Sequence, residues 1–106
     1  MIIASSPQIA GKRIVKTFGV VRGNTIRVRH LGKDILAGLK TLVGGEIQEY
    51  TKLMAEARDQ AVDRMLEDAE ALGANAVLDV RFSTSFLMQS AAEILVYGTA
   101  VIVEDE

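Results

Sequence analysis

The sequence predicts an α+β fold in which a small, curved, mostly antiparallel sheet packs against one long and one short helix. Three observations carry that prediction. Apolar residues recur at helical intervals in two central stretches, β-branched segments flank those stretches on both sides, and glycine stands at most of the boundaries. The order is strands, helices, strands.

Met1 to Ala4 is a short apolar run, punctuated by Ser5-Ser6-Pro7 and Gly11, and reads as a first strand followed by a turn. Ile14 to Val21 is rich in β-branched residues and reads as a second strand. Gly23-Asn24 then offers a turn before Thr25 to Arg29, so the pair suggests a hairpin. From Lys33 to Val43, Ile35, Leu36, Leu39, Leu42 and Val43 follow helical spacing, which predicts a short amphipathic helix ended by Gly44-Gly45.

The strongest local signal runs from Glu46 to Leu72. There Ile47, Tyr50, Met54, Ala57, Ala61, Met65, Ala69 and Leu72 form one stripe by steps of three and four. Glu46 and Glu49 complement the positive end of the helix dipole, and Gly73 supplies the C-terminal cap. In Ala76 to Phe86, one face carries Leu78, Val80, Phe82, Thr84 and Phe86; the other carries Val77, Asp79, Arg81, Ser83 and Ser85. Ile94 to Val103 lacks such alternation and is expected to be covered on both sides. Two helices can cover only one face of a small sheet, so this last strand points to cover from other copies, a homo-oligomer. Each additional Val, Ile or Leu buried would contribute about 1.5–3 kcal/mol.

Composition bounds the function. The chain has 106 residues, 49% hydrophobic and 25% charged, with a net charge of −2 and one proline, which fits one domain spanning 1–106. A two-lobed enzyme does not fit this length. The lack of cysteine removes disulfides, thiolate catalysis and cysteine-based metal sites. No basic segment precedes a long apolar run at the N-terminus, and Ile94 to Val103 is about half of the ~20 residues a membrane helix needs. A cytoplasmic protein is expected.

Charge is uneven. Residues 1–45 hold eight bases and one acid, and residues 46–106 hold four bases and thirteen acids, giving +7 and −9. The bases Lys12, Arg13, Lys16, Arg22, Arg27, Arg29, Lys33 and Lys40 are scattered over different elements without aromatic partners, which argues against a nucleic-acid footprint. Pairing of a basic edge with an acidic helix, in the same or a neighbouring subunit, accounts for the asymmetry more simply.

Each chemical candidate has a structural counter-reading. His30, the single histidine, has neither a sequence-near carboxylate nor a second soft ligand, which favours a surface or capping role. Arg27 and Arg29 share a face and could hold a phosphate or carboxylate, or serve as edge charges that discourage aggregation. Gly44-Gly45 precedes a helix, but no Walker pattern follows and Glu46 and Glu49 occupy the anion's place, so a turn is the better reading. Asp59, Asp63 and Glu67 align at i, i+4 and i+8; they could join a cation site if another element added oxygens, and otherwise form a solvated face. Met54 and Met65 fall on the apolar stripe as core filler. Asp79 and Arg81 suggest an ion pair on one strand face, and no nucleophile-elbow motif occurs.

Read together, Gly19-Val20-Val21-Arg22-Gly23, Asp34 with Ala37-Gly38, Val43-Gly44-Gly45, Tyr50, Ala57-Arg58, Ala61, Ala71 to Val77 and Gly98 to Val101 resemble the YbjQ-like family over nearly the whole chain. The resemblance implies an α+β subunit of a ring-shaped homo-oligomer, usually a pentamer. It also brings a heavy-metal-binding label, without an established set of ligands or catalytic residues. Some relatives carry acids at the positions of Arg81 and Ser83, and some carry cysteine; this chain has neither there.

Gly19 and Gly98 fall inside strands, where glycine marks a bulge or a close approach. At a ring interface, Gly98→Val is expected to weaken assembly. The expectation for function is a non-enzymatic oligomeric binding or scaffold protein with a metal ion or small molecule at subunit boundaries. No catalytic, cofactor or metal residue is assigned. The alternatives are an enzyme whose site is composed from adjacent subunits, using Arg27, Arg29 and His30, and a weak nucleic-acid binder.

Overall fold

The computed structural model describes residues 1–28, 46–88 and 91–106, with the side chains of residues 46–50 left aside. The elements are β1 (Ile2–Ile3), β2 (Lys12–Val28), α1 (Glu46–Leu72), β3 (Ala76–Met88) and β4 (Ala91–Asp105). They form a four-stranded mixed sheet in the order β1-β3-β4-β2. β4 pairs antiparallel with both β3 and β2, and β1 runs parallel to β3. The expected short helix at Lys33 to Val43 lies outside the described residues, as do Arg29, His30, Lys40 and Gly44-Gly45.

α1 has the bounds its periodicity predicts, because cap and stripe agree. Gly73 adopts φ +90°, its N–H donates to the Glu70 carbonyl at 3.0 Å, and the Ala74 N–H donates to the Ala69 carbonyl at 3.1 Å. These two bonds close the helix with a left-handed glycine. Ala57, Ala61, Met65 and Ala69 are fully buried against the sheet, joined by Val21, Val77, Ile94, Val96 and Ala100. Met65 fills the core and Met54 packs at its edge, as the stripe predicts.

The predicted hairpin at Gly23-Asn24 is corrected. β2 is one strand of 17 residues that runs straight through both positions. Gly23 permits close packing here: a Cβ on it would lie 2.1 Å from the Ala61 carbonyl oxygen and 2.5 Å from the Met65 nitrogen. The small residues of α1 and the bare backbone of Gly23 bring helix and strand into contact. Gly19 does mark a bulge, with φ +117° beside the register shift between Thr17 and Gly19.

The alternation expected of β3 is also corrected. A bulge between Leu78 and Arg81, with Asp79 at φ +54°, inserts one residue and exchanges the faces. Val77 therefore faces the helix, opposite Ala100, while Leu78 packs on the other side with Ala76, Val101 and Val103. Beyond the bulge the even residues face the helix side, Phe82 opposite Val96 and Thr84 opposite Ile94. The bulge turns Asp79 and Arg81 away from the expected ion pair. The Asp79 N–H donates to the Ser6 carbonyl at 3.1 Å, and Arg81 Nη1 donates to the Ser5 carbonyl at 2.8 Å and the Val80 carbonyl at 3.0 Å.

Double cover of the last strand is divided along its length. Val101 and Val103 are buried beneath the chain's own N-terminal segment, through Ala4 and Ile9, so this half borrows nothing from another copy. On the same face nearer the start of β4, Tyr97 is exposed and Leu95 half-buried. Gly98 is crowded from within the subunit: a Cβ there would meet Val77 Cγ1 at 2.6 Å and the Leu78 carbonyl at 2.9 Å. Gly98→Val therefore acts on the subunit's own fold first.

Candidate interaction surface

The sheet has a sealed end and an open end. At the sealed end, Asn75 follows α1 and completes the edge of β4: its Nδ2 donates to the Val103 carbonyl at 2.9 Å and its Oδ1 accepts from the Val103 N–H at 2.8 Å. The side-chain amide copies a backbone partner in the ladder. Ile2 N–H donates to the Asn75 carbonyl, Ala4 N–H to Val77, and Val80 N–H to Ala4, which ties the N-terminal segment along β3. Lys12 pairs with Asp105, and Arg13 with Glu104, where β2 begins and β4 ends. Lys12 holds the Asp105 carboxyl below its ordinary value, by hydrogen bond and by charge. Part of the sequence's charge asymmetry is thus an intramolecular pairing, made with β4 and not with the helix.

At the open end, every residue from Arg81 to Met88 is exposed. β1 reaches only Ala76 and Val77, so among the described residues no strand pairs with the outer edge of β3 past the bulge. α1 packs mainly over β2 and β4, so among the described residues the helix-side strip of β3 has no cover; Phe82 is 52% and Phe86 71% exposed. On the opposite face, across β4, Ile26 and Val28 of β2 are exposed as well, and Val20, level with Leu78, is 74% exposed. Large apolar side chains exposed in this way make the end of the sheet a candidate interaction surface.

Polar chemistry is sparse by contrast. Thr25 is buried and its hydroxyl donates to the Ala57 carbonyl at 3.0 Å, a purely structural bond. Arg27 Nη2 donates to Gln60 Oε1 at 2.8 Å, while its Nε is buried without a hydrogen-bond partner. The anion pocket expected of Arg27 with Arg29 cannot be placed, since Arg29 lies outside the described residues. Asp59, Asp63 and Glu67 are exposed, and among the described residues no group of three His, Cys, Asp or Glu side chains is placed to hold a metal ion. No helix of the described residues is long and apolar enough to cross a membrane.

Asn75 and Gly23 are the positions that residue-type reasoning missed. Both stood inside the motifs that carried the family resemblance, and the structure gives each a packing reason. The exposed apolar residues fall on β3, at Phe82 and Phe86, and not chiefly on Ile94 to Val103, where sequence reasoning expected cover to be missing.

A family model described as "Putative heavy-metal-binding" matches residues 1–104. A UPF0145 protein of Methanosarcina acetivorans is 60% identical over 101 residues, covering 95% of each chain. A UPF0145 protein of Dehalococcoides mccartyi is 57% identical over 104 residues, covering 98% of this chain and 100% of its own. One of Thermus thermophilus is 56% identical over 104 residues, covering 98% of this chain and 91% of its own. The crystal structure of a protein of unknown function in the DUF74 family, from Pediococcus pentosaceus, superposes with a TM-score of 0.71 at 16% identity over 98% of both chains. That likeness concerns the fold.

Proposed function

The chain belongs to the YbjQ-like, UPF0145 family, and from that premise we propose that it works as a non-enzymatic, cytoplasmic homo-oligomer. All 106 residues act as one domain, and the assembled ring, with five subunits the number the resemblance implies, is the binding or scaffold unit. The observation that supports this reading is the open end of the sheet, where Phe82 and Phe86 on one face and Ile26 and Val28 on the other are left in water. Burying a Val, Ile or Phe side chain is worth about 1.5–3 kcal/mol. Several such side chains per contact offset the ordering of a modest interface.

The described residues of one subunit do not fit a heavy metal, because they hold no three-ligand group and the chain has no cysteine. A metal ion or small molecule then belongs at subunit boundaries, where ligands from two copies meet. Light scattering coupled to size exclusion tests the assembly, with a stable multiple of the subunit mass expected at micromolar concentration. A monomer there would refute it. Elemental analysis of untagged protein after exposure to divalent ions tests the boundary metal, and absence of any retained ion would remove it.

A further inference from the structure

We infer that the sheet face away from α1 carries a site for a nucleotide, in which Arg22 and Arg81 take the phosphate and Tyr97 takes the planar base. Arg22 and Arg81 are far apart in the chain, yet both lie level with Tyr97, one across the β2–β4 ladder and the other across the β3–β4 ladder. The three side chains therefore stand in one row on one face. The next row along β4 is Asn24, Leu95 and Ser83. Only the fold brings an aromatic ring level with these bases, which in the sequence are scattered over different elements. All of these residues belong to one chain, so the site needs no partner copy.

Charge and exposure select the ligand class. Arg22, Tyr97 and Arg81 are all exposed. Lys12 and Arg13 are neutralised by Asp105 and Glu104, but among the described residues no carboxylate pairs with Arg22 or Arg81, Asp79 at the bulge included. Arg81 is held by carbonyls instead: the two bonds from its Nη1 to Ser5 and Val80 fix the guanidinium without cancelling its charge, and they use few of its five donors. Adjacent strands are about 4.8 Å apart, so the backbones of Arg22 and Arg81 are about 10 Å apart and their long side chains can close on one phosphate from both sides. Between them the Tyr97 ring offers a surface on which a base can stack, and the Asn24 amide and Ser83 hydroxyl offer hydrogen bonds to the edge of that base. The patch is short. In the row on one side, Leu78 is buried beneath Ala4 and Ile9; on the other side, two rows from Tyr97, Glu93 places a carboxylate where a following phosphate would lie. A single nucleotide fits those bounds, whereas a long strand meets repulsion.

Isothermal titration at low salt with adenosine monophosphate, adenosine and inorganic phosphate tests the site on the intact protein. The nucleotide is expected to saturate one site per chain and to bind about tenfold or more tighter than either fragment, because the row uses both parts. Arg22→Gln should weaken it by about tenfold, and the melting temperature should hold, since Arg22 is exposed. Tyr97→Leu should bring the nucleotide down to the affinity of inorganic phosphate. Lys16→Gln, which removes an exposed base of the same strand outside the row, should leave binding as it is. Absence of saturation at millimolar nucleotide would overturn the inference. So would equal losses from Lys16→Gln and Arg22→Gln, the mark of unspecific attraction to charge, or an unchanged affinity in Tyr97→Leu. Single-stranded oligonucleotides should gain little over the mononucleotide; affinity that climbs steeply with their length would replace the bounded site by a nucleic-acid track. Light scattering on the same samples reads assembly separately, so failure of the oligomeric reading and failure of this site are told apart.

Discussion

The two ends of this sheet are built from the same three long strands and have opposite fates. At the sealed end, Leu78, Val101 and Val103 are covered by Ala4 and Ile9, and Asn75 completes the ladder with its side chain. At the open end, the same β3 presents Phe82 and Phe86 to solvent with no strand beside it among the described residues. The Asp79 bulge separates them. It diverts the N–H groups of Asp79 and Val80 to the N-terminal segment and changes which residues face the helix. Among the described residues, the N-terminal segment covers the sealed end and nothing covers Phe82 and Phe86 at the open end.

Substitutions can break that contrast, beginning with the helix contact common to both ends. Gly23→Ala should cost about 3 kcal/mol or more, since the new Cβ collides with helix backbone that cannot move aside. Thermal denaturation checks this, and a melting temperature within a few degrees of wild type would show that α1 does not sit on Gly23. At the open end, the double substitution of Phe82→Lys and Phe86→Lys should disperse the assembly to single chains while helix and sheet content by circular dichroism is retained, because neither ring supports the subunit's own core.

At the sealed end, Asn75→Ala removes both bonds to Val103 and should destabilise the subunit by about 1–3 kcal/mol in urea unfolding. An unchanged midpoint would mean the amide is not part of the ladder. Between the ends, Asp79→Gly should stabilise by about 1 kcal/mol, since glycine tolerates φ +54° and aspartate pays for it. Asp79→Ala should not. Smallest is the effect of Asp105→Asn. The Asp105 pKa is lowered in the folded state, so its contribution is present above the ordinary value of 3.8 and fades as pH falls through the lowered one. Because Asp105 is exposed to solvent, its loss should leave stability at pH 7 nearly unchanged, a point checked by melts at pH 7 and pH 3.

Local periodicity made the long helix legible from Glu46 to Leu72, with its cap at Gly73, because side-chain spacing and capping are properties of consecutive residues. The charge asymmetry was legible as well, and the family was readable from the order of its small-residue motifs. The turn placed at Gly23 was misread because a glycine that frees the backbone and a glycine that admits a helix look alike in a sequence. Alternation in β3 misled for a related reason: one inserted residue at the bulge reverses every face beyond it, and nothing in the residue types there announces the insertion.

The sequence by itself determined the α+β class, the identity and length of α1, and an excess of apolar strand surface for a chain of 106 residues. Only the tertiary structure decided where that excess falls. The N-terminal segment covers Val101 and Val103 on one face, and on the other α1 crosses β2 and β4 while the bulge re-aims β3, so Phe82 and Phe86 stay exposed. Such choices depend on contacts between residues far apart in the chain, whereas composition and periodicity report only on near neighbours.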